Sequence, residues 1–179
     1  MDIPEIVTSR LLLRGWQDGD VERMAEIYTD PEVVRYLRPL DLEGTRQQLL
    51  RFADHWDEYG FGLWAVEERA SGRLIGRIGL AHHPDWTASM HDAEVGWTLD
   101  RSAWGGGLAT EGGEAALAYG FDTQGMTRII SIAHRENIAS QRVMEKLGLH
   151  REGETTWREN PVAWFAITGQ DWRRSRASR

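Results

Sequence analysis

The stretch that most restricts the fold runs from Glu94 to Phe121, E-V-G-W-T-L-D-R-S-A-W-G-G-G-L-A-T-E-G-G-E-A-A-L-A-Y-G-F. Residues Glu94–Leu99 alternate, with Val95, Trp97 and Leu99 on one face, and so predict a strand. Gly105, Gly106 and Gly107 then remove the Cβ atoms from a turn. Behind them Leu108, Ala109, Gly112, Ala115, Ala116 and Tyr119 recur at helical spacing. A strand that turns through glycines into a helix leaves the first helical amides unpaired, which suits an anion such as phosphate. The same arrangement also serves as a plain connection between packed elements. Gly112 and Gly113 are the odd residues, since each costs about 1 kcal/mol relative to Ala in a helix interior. Close packing or a ligand must account for them.

Trp104 to Glu111, W-G-G-G-L-A-T-E, resembles the acetyl-CoA pyrophosphate loop of the GNAT superfamily of N-acetyltransferases. The general pattern there is Gln or Arg, two residues, Gly, one residue, then Gly or Ala. Gly107 and Ala109 fill the last two places, while Trp104 departs from the superfamily and resembles its bacterial RimJ/RimL-like branch, where W-G-x-G is usual. Asn137 to Gly148, N-x-x-S-x-x-V-x-x-K-L-G, matches the second acetyl-CoA motif at the expected separation. T-S-R-L-L-L-R (Thr8–Arg14) and D-P-E-V-V-R-Y-L (Asp30–Leu37) resemble the opening of the same branch.

The resemblance implies an α+β fold: a mixed, mostly antiparallel seven-stranded sheet with helices on both faces. That sheet splays between the Glu94 strand and the Thr127 strand, with acetyl-CoA in the cleft. It also implies acetyl transfer to a primary amine by direct attack in a ternary complex. The acceptor in that branch is a protein N-terminus, although the scaffold also serves small amines, polyamines, amino-acid derivatives and antibiotics. Dimers are common in the branch, which leaves a homodimer and a monomer both open.

Length and composition narrow the alternatives. With 179 residues the chain makes one domain with a sizeable core, expected over 6–172 with a polar tail at 173–179. Cysteine is absent, which excludes thiol nucleophiles, disulfides and cysteine-based zinc sites. The net charge of −7 argues against general nucleic-acid binding and suits a cationic or neutral partner such as an amine. The N-terminus lacks a basic start before an apolar run, and no stretch is long and apolar enough for a bilayer, so a cytoplasmic protein without membrane contact is expected.

Along the chain, Thr8–Arg14 reads as a first strand, and Asp18 or Asp20 as the cap of a helix through Val21, Met24, Ala25 and Tyr28. Asp30 and Pro31 open a second short helix to about Leu37, ended by Pro39. A third runs from about Glu43 to Tyr59, closed by Gly60. Phe61–Glu67 and Arg73–Ala81 form a hairpin around Ala70-Ser71-Gly72, broken by His82, His83, Pro84 and Asp85. The pair His82 and His83, with His91 nearby, lacks defined ligand spacing, and no metal site is expected. Thr127–Ala133 reads as a strand buried on both faces. Asn137 caps a helix stopped by Gly148. Leu149–Thr155 and Val162–Thr168 pair as the last strands, and D-W-R-R-S-R is a polar end.

Acetyl transfer from a thioester to an amine needs a neutral amine, a stabilised oxyanion and a proton for the departing thiolate. Given the resemblance, Glu94 is the candidate base at the start of the central strand. Binding the ammonium as a counter-charge, or lying on a solvated face, are its other readings. Backbone N–H groups around Trp97, Thr98 and Leu99 are candidates for the oxyanion and for pairing with the pantetheine arm. Ser140 is the candidate for returning a proton to sulfur, by hydrogen bonding or relay. The cofactor set is Trp97, Thr98, Leu99, Trp104, Gly105, Gly106, Gly107, Leu108, Ala109, Thr110, Asn137, Ser140 and Arg142, with Arg101 and Arg135 as further phosphate partners. Glu111 reads as structural. Trp56, Trp64 and Trp86 belong either to an acceptor pocket or to the core.

Two other readings compete. A dinucleotide oxidoreductase fails because Thr110 stands at the third glycine and no series of parallel strands surrounds it. A silent acetyl-CoA-binding domain keeps the loop glycines, Asn137 and Ser140 but turns nothing over.

Overall fold

The structure is a computed structural model that describes residues 3–89 and 92–177; His91 lies outside the described residues. The chain forms β1 (Ile6–Val7), β2 (Leu11–Arg14), α1 (Asp20–Ile27), α2 (Leu42–Tyr59), β3 (Leu63–Glu68), β4 (Arg73–His82) and β5 (Ala93–Leu99). There follow α3 (Leu108–Ala118), β6 (Arg128–His134), α4 (Ile138–Lys146), β7 (His150–Trp157), β8 (Asn160–Thr168) and α5 (Gly169–Ala177). The strands make one sheet in the order β1-β2-β3-β4-β5-β6-β8-β7. Every pairing is antiparallel except β5 with β6.

The sheet has eight strands, not seven, because Thr8–Arg14 is not one strand. The Thr8 N–H and Leu11 carbonyl bond at 2.9 Å, and the Leu11 N–H returns to Thr8 Oγ1 at 2.9 Å, so the chain turns back at Ser9-Arg10. Val7 then pairs with Leu12 across the turn.

Three helical expectations also change. Asp30–Leu37 forms a succession of turns, with Asp30 Oδ1 accepting from the Glu32 N–H at 2.8 Å. So short a segment, closed by Pro39, cannot offset the cost of helix nucleation. Neither Asp18 nor Asp20 caps α1, which starts from Gly19 without a side-chain cap. Asp20 is instead buried against Arg14, whose guanidinium bonds both its oxygens at 2.7 and 3.0 Å and Glu67 at 3.0 Å. The polar C-terminal end is helix α5, anchored by Trp172, which is 2% exposed and stacks on Phe121 with centroids 5.7 Å apart. One aromatic anchor in a charged segment carries no periodicity, which hides the helix from pattern reading.

Helices cover both faces. Val21, Met24, Ile27 and Leu49 of α1 and α2 pack with Ala65 and Leu74 on one face, and Leu117, Phe121 and Met144 pack with Leu11, Ile78, Val95 and Ile129 on the other. The glycines inside α3 are explained by that second face. A Cβ on Gly112 would come within 2.4 Å of Ile78 Cδ1, and one on Gly113 within 2.8 Å of Leu147 Cδ1. Packing, not a ligand, accounts for both. Trp56, Trp64 and Trp86 are core as well, exposed by 1%, 0% and 2%.

The sheet opens at its centre. β5 and β6 pair only at Ala93↔Ile129 and Glu94↔Ile130. Beyond those residues side chains bridge the gap: Ser131 Oγ donates to the Val95 carbonyl at 2.8 Å, and the Ile132 N–H donates to Glu94 Oε1 at 3.2 Å. The turns between α1 and α2 reach across, where Tyr36 stacks on His134 with centroids 4.8 Å apart and its hydroxyl donates to the Glu136 carbonyl at 3.3 Å.

Candidate active site

One side of the opening is built from main chain. Gly107 is the N-cap of α3 with φ +81°, and Gly105 has φ +77°; both lie in the left-handed region that disfavours side chains. Cβ atoms on Gly105 and Gly106 would meet nothing within 4 Å, so the approach to the helix N-terminus is open. Leu108, Ala109 and Thr110 form the first turn of α3, whose early amides have no partner within the helix. Such a cradle fits a diphosphate. Trp104, where the general pattern has a polar residue, donates from Nε1 to the Leu99 carbonyl at 2.9 Å and so staples the loop to the end of β5.

Glu111 holds the loop from behind. Its Oε1 accepts from Thr8 Oγ1 at 2.6 Å and from the Arg10 N–H at 2.7 Å, and its Oε2 from Arg10 Nε at 2.6 Å. Arg10 Nη1 then donates to the Gly106 carbonyl at 2.7 Å. Burial works against this carboxylate, yet the hydrogen bonds from Thr8 and Arg10, with the Arg10 charge, hold its carboxyl below the ordinary value. The β1–β2 turn thereby fixes the glycine loop from the far end of the sequence.

Asn137 and Ser140 sit across the opening, where β6 passes into α4. Asn137 Oδ1 caps α4 by accepting the Ser140 N–H at 3.1 Å. That oxygen is spoken for, while the amide nitrogen of Asn137 and the half-buried Ser140 hydroxyl make no hydrogen bond among the described residues. Arg135 and Arg142 are exposed, and Arg101 lies 3.9 Å from Asp30.

The other side is built from side chains. Glu94 stands where β5 and β6 part, on the face covered by α1 and α2, because Ala81↔Glu94 and Arg77↔Thr98 are opposite pairs and Arg77 packs over Phe52 of α2. Its Oε2 accepts from His83 Nε2 at 2.5 Å and its Oε1 from the Ile132 N–H at 3.2 Å. Trp157 closes the other side of His83, edge-on at 4.9 Å, and packs with Trp86. Asp85 ties the loop bearing His83 to the β7–β8 hairpin, accepting from Trp157 Nε1 at 3.1 Å and from Arg158 at 2.7 and 2.9 Å. The Arg158 hydrogen bonds hold the Asp85 carboxyl below its ordinary value.

His83 is the residue that sequence reasoning placed in a loop without a role. The available signal was register: once Ala81 faces Glu94, His83 two residues on shares that face. His82, expected to end the strand, is its last residue. Its N–H donates to His55 Nε2 at 2.9 Å, so His55 Nδ1 carries the proton that bonds the Phe61 carbonyl at 2.7 Å. Burial lowers His55 below the ordinary histidine value, and His83 and His82 nearby add to the effect against the Phe61 bond. Among the described residues no group of His, Asp or Glu is placed to hold a metal, and no helix is long and apolar enough to cross a membrane.

A parallel pair that parts between a bare helix N-terminus on one side and a hydrogen-bonded carboxylate on the other defines a class of α+β protein with an anion-accepting cleft at the centre of its sheet. The class has a family: the chain belongs to the acetyltransferase (GNAT) domain family, whose profile matches residues 10–150. The uncharacterized N-acetyltransferase YoaA of Bacillus subtilis is 32% identical, with 84% of this chain and 85% of that one covered. The [ribosomal protein uS5]-alanine N-acetyltransferase of Escherichia coli is 25% identical over 96% and 95%. The GNAT-family acetyltransferase structure from Bacillus anthracis superposes with a TM-score of 0.79 at 27% identity, covering 93% and 99%. Aminoglycoside acetyltransferase AAC(6')-Ib, solved with coenzyme A and kanamycin, gives a TM-score of 0.79 at 20% identity over 93% and 99%. The protein is an acetyl-CoA-dependent N-acetyltransferase.

Proposed function

We propose that the chain acetylates the α-amine of a protein or peptide N-terminus, in the manner of the RimJ/RimL-like branch, with Glu94 as the base. The observation that carries this reading is the Glu94 carboxylate at the parting of β5 and β6, with His83 at 2.5 Å and the Ile132 N–H at 3.2 Å. Support for the acceptor comes from Trp104-Gly105-Gly106-Gly107 and from near-complete coverage of the uS5-alanine relative.

Acetyl-CoA supplies an acetyl group activated as a thioester. The Gly105–Gly107 turn and the first amides of α3 hold its diphosphate, Arg142 adds charge for the phosphates, and Asn137 meets the carrier arm. His83 and Ile132 each engage one oxygen of Glu94, which fixes the carboxylate while leaving it lone pairs for an ammonium. Glu94 takes the proton from that ammonium, directly or through water, and frees the amine to attack. Backbone N–H groups of Trp97–Leu99 stabilise the developing oxyanion. Ser140 hydrogen-bonds the departing sulfur and relays to it the second proton, which the attacking nitrogen sheds as the tetrahedral intermediate collapses, while the proton on Glu94 passes to water. Alignment in the cleft supplies much of the remaining acceleration.

The test is a side-by-side assay of coenzyme A release with peptides bearing free or blocked N-termini, spermidine and kanamycin. Turnover with free N-termini alone is expected. Turnover confined to the small amines would move the acceptor to that class and overturn the N-terminal assignment.

A further inference from the structure

Much of the positive charge in this acidic chain is paired: Arg14, Arg23, Arg128 and Arg158 each lie within salt-bridge distance of a carboxylate. Arg38, Arg51 and Arg77 have no such partner among the described residues, and all three line one cavity of about 200 Å³. Tyr28, Gln48, Leu37 and Leu40 complete its wall, and no Asp or Glu lines it. Arg77 is held in place. Its Nε donates to the Tyr28 hydroxyl at 3.2 Å, that hydroxyl donates to Gln48 Oε1 at 2.7 Å, and the Phe52 ring lies 5.5 Å from the guanidinium carbon. A half-buried guanidinium that bonds one hydroxyl, stacks near one ring and shares its cavity with two further guanidinium groups is incompletely compensated, and an anion would complete it.

The cavity shares a sheet face with Glu94. Ala81↔Glu94, Gly79↔Gly96 and Arg77↔Thr98 are successive opposite pairs on that face, which puts the Arg77 and Glu94 positions about 13 Å apart along the strands. Between them the surface is low on β5, where the nearest atoms to a Cβ on Gly96 would be those of the Glu94 carboxyl group at 3.8–3.9 Å, while on β4 a Cβ on Gly79 would strike the Gly62 carbonyl at 2.2 Å.

We propose that the Arg38–Arg51–Arg77 cavity is an anion subsite for the acceptor. It takes a carboxylate or phosphate carried roughly 10 Å from the amine, the span of about three extended residues. Resting on Glu94 as the group that receives the amine, this narrows the acceptor to amines with a distal negative charge, such as an N-terminal peptide with an acidic third residue. Arg77 is the fixed donor, while Arg38 and Arg51, exposed at the rim, adapt to the anion.

The experiment is calorimetric binding to protein saturated with coenzyme A, which needs no turnover. Two ligand pairs are compared: Ala-Gly-Glu-Gly amide against Ala-Gly-Gln-Gly amide, and 6-aminohexanoate against its amide. The charged member of a pair is expected to bind about tenfold more tightly, and the discrimination to fall to about onefold in the R38Q/R51Q variant. A preference seen only in the aminohexanoate pair keeps the subsite and sinks the peptide acceptor instead. No preference in either pair, from equal binding or from none, overturns the proposal. So does a loss of coenzyme A affinity in the variant that 3′-dephospho-coenzyme A does not show, since the cavity would then serve the cofactor phosphate.

Discussion

The two sides of the cleft are built from different materials. On the α3 side the working surface is backbone: a glycine turn, a helix N-terminus and an indole that staples one to the end of a strand. On the α1–α2 side it is side chains, with Glu94 of β5 meeting the His83 ring just past β4 and held from behind by the Ile132 N–H of β6. On the proposed reading, backbone amides meet what every reaction of such an enzyme shares, a carrier diphosphate. On the same reading, side chains on short turns and a hairpin meet what changes between enzymes, the amine. The difference teaches where substitutions can be absorbed: almost any residue at an exposed rim position, almost none at a glycine with positive φ.

The largest expected effect comes from breaking the backbone side. Gly107→Asp puts a Cβ on a residue at φ +81° and a carboxylate where the diphosphate approaches. Affinity for acetyl-CoA, read by calorimetry, should fall by about a hundredfold or more, roughly 2.7 kcal/mol, with the circular dichroism spectrum unchanged. Gly106→Ala is the control, since a Cβ there meets nothing within 4 Å and φ is not positive; it should cost little. Equal affinities in all three proteins would remove the glycine turn from cofactor binding.

Next in size is the side-chain half. Glu94→Gln keeps the shape and a hydrogen-bond acceptor for Ile132 but removes the proton acceptor. Turnover should drop on the order of a hundredfold while the acetyl-CoA dissociation constant holds. A parallel loss of cofactor affinity would mean that Glu94 supports the opening of the sheet, and an unchanged turnover would take it out of the mechanism.

The same division explains what could be read from the sequence. The strand, the glycine turn, α3, and α4 with its Asn137 cap are local in sequence, so periodicity and capping rules reach them. The separation of β5 from β6 follows from the resemblance and not from any local pattern. Tyr36 on His134, His83 on Glu94, and Thr8 with Arg10 on Glu111 join residues far apart in the chain. No local rule brings them together; the β4–β5 register does so for His83 and Glu94, and packing of turns and helix against the sheet for the others. Asp30–Leu37 shows the opposite failure, a good cap and a proline at the first helical position in a segment too short to propagate. The polar end failed for want of pattern, since Trp172 alone holds α5 down.

The smallest expected effect concerns how the acceptor half is tied together. His55 of α2 joins the start of β3 to the end of β4, donating to the Phe61 carbonyl and accepting the His82 N–H one residue before His83. Protonation would turn the accepting nitrogen into a donor facing another N–H, and burial already holds the ring below the ordinary histidine value. The unfolded chain therefore takes up a proton that the folded one resists, and stability rises with pH across that interval. His55's contribution is whole above the ordinary histidine range, about 6.5, and is lost as pH falls through it toward the depressed folded value. Because the ring is partly solvated, the effect is held to under about 1 kcal/mol, a shift of about 2 °C for a domain of this size. Melting temperatures of wild type and His55→Gln from pH 8 to pH 5 should converge on the acid side, the variant starting lower and changing less. Parallel curves would place the acid sensitivity elsewhere and leave His55 a hydrogen-bonding strut indifferent to pH.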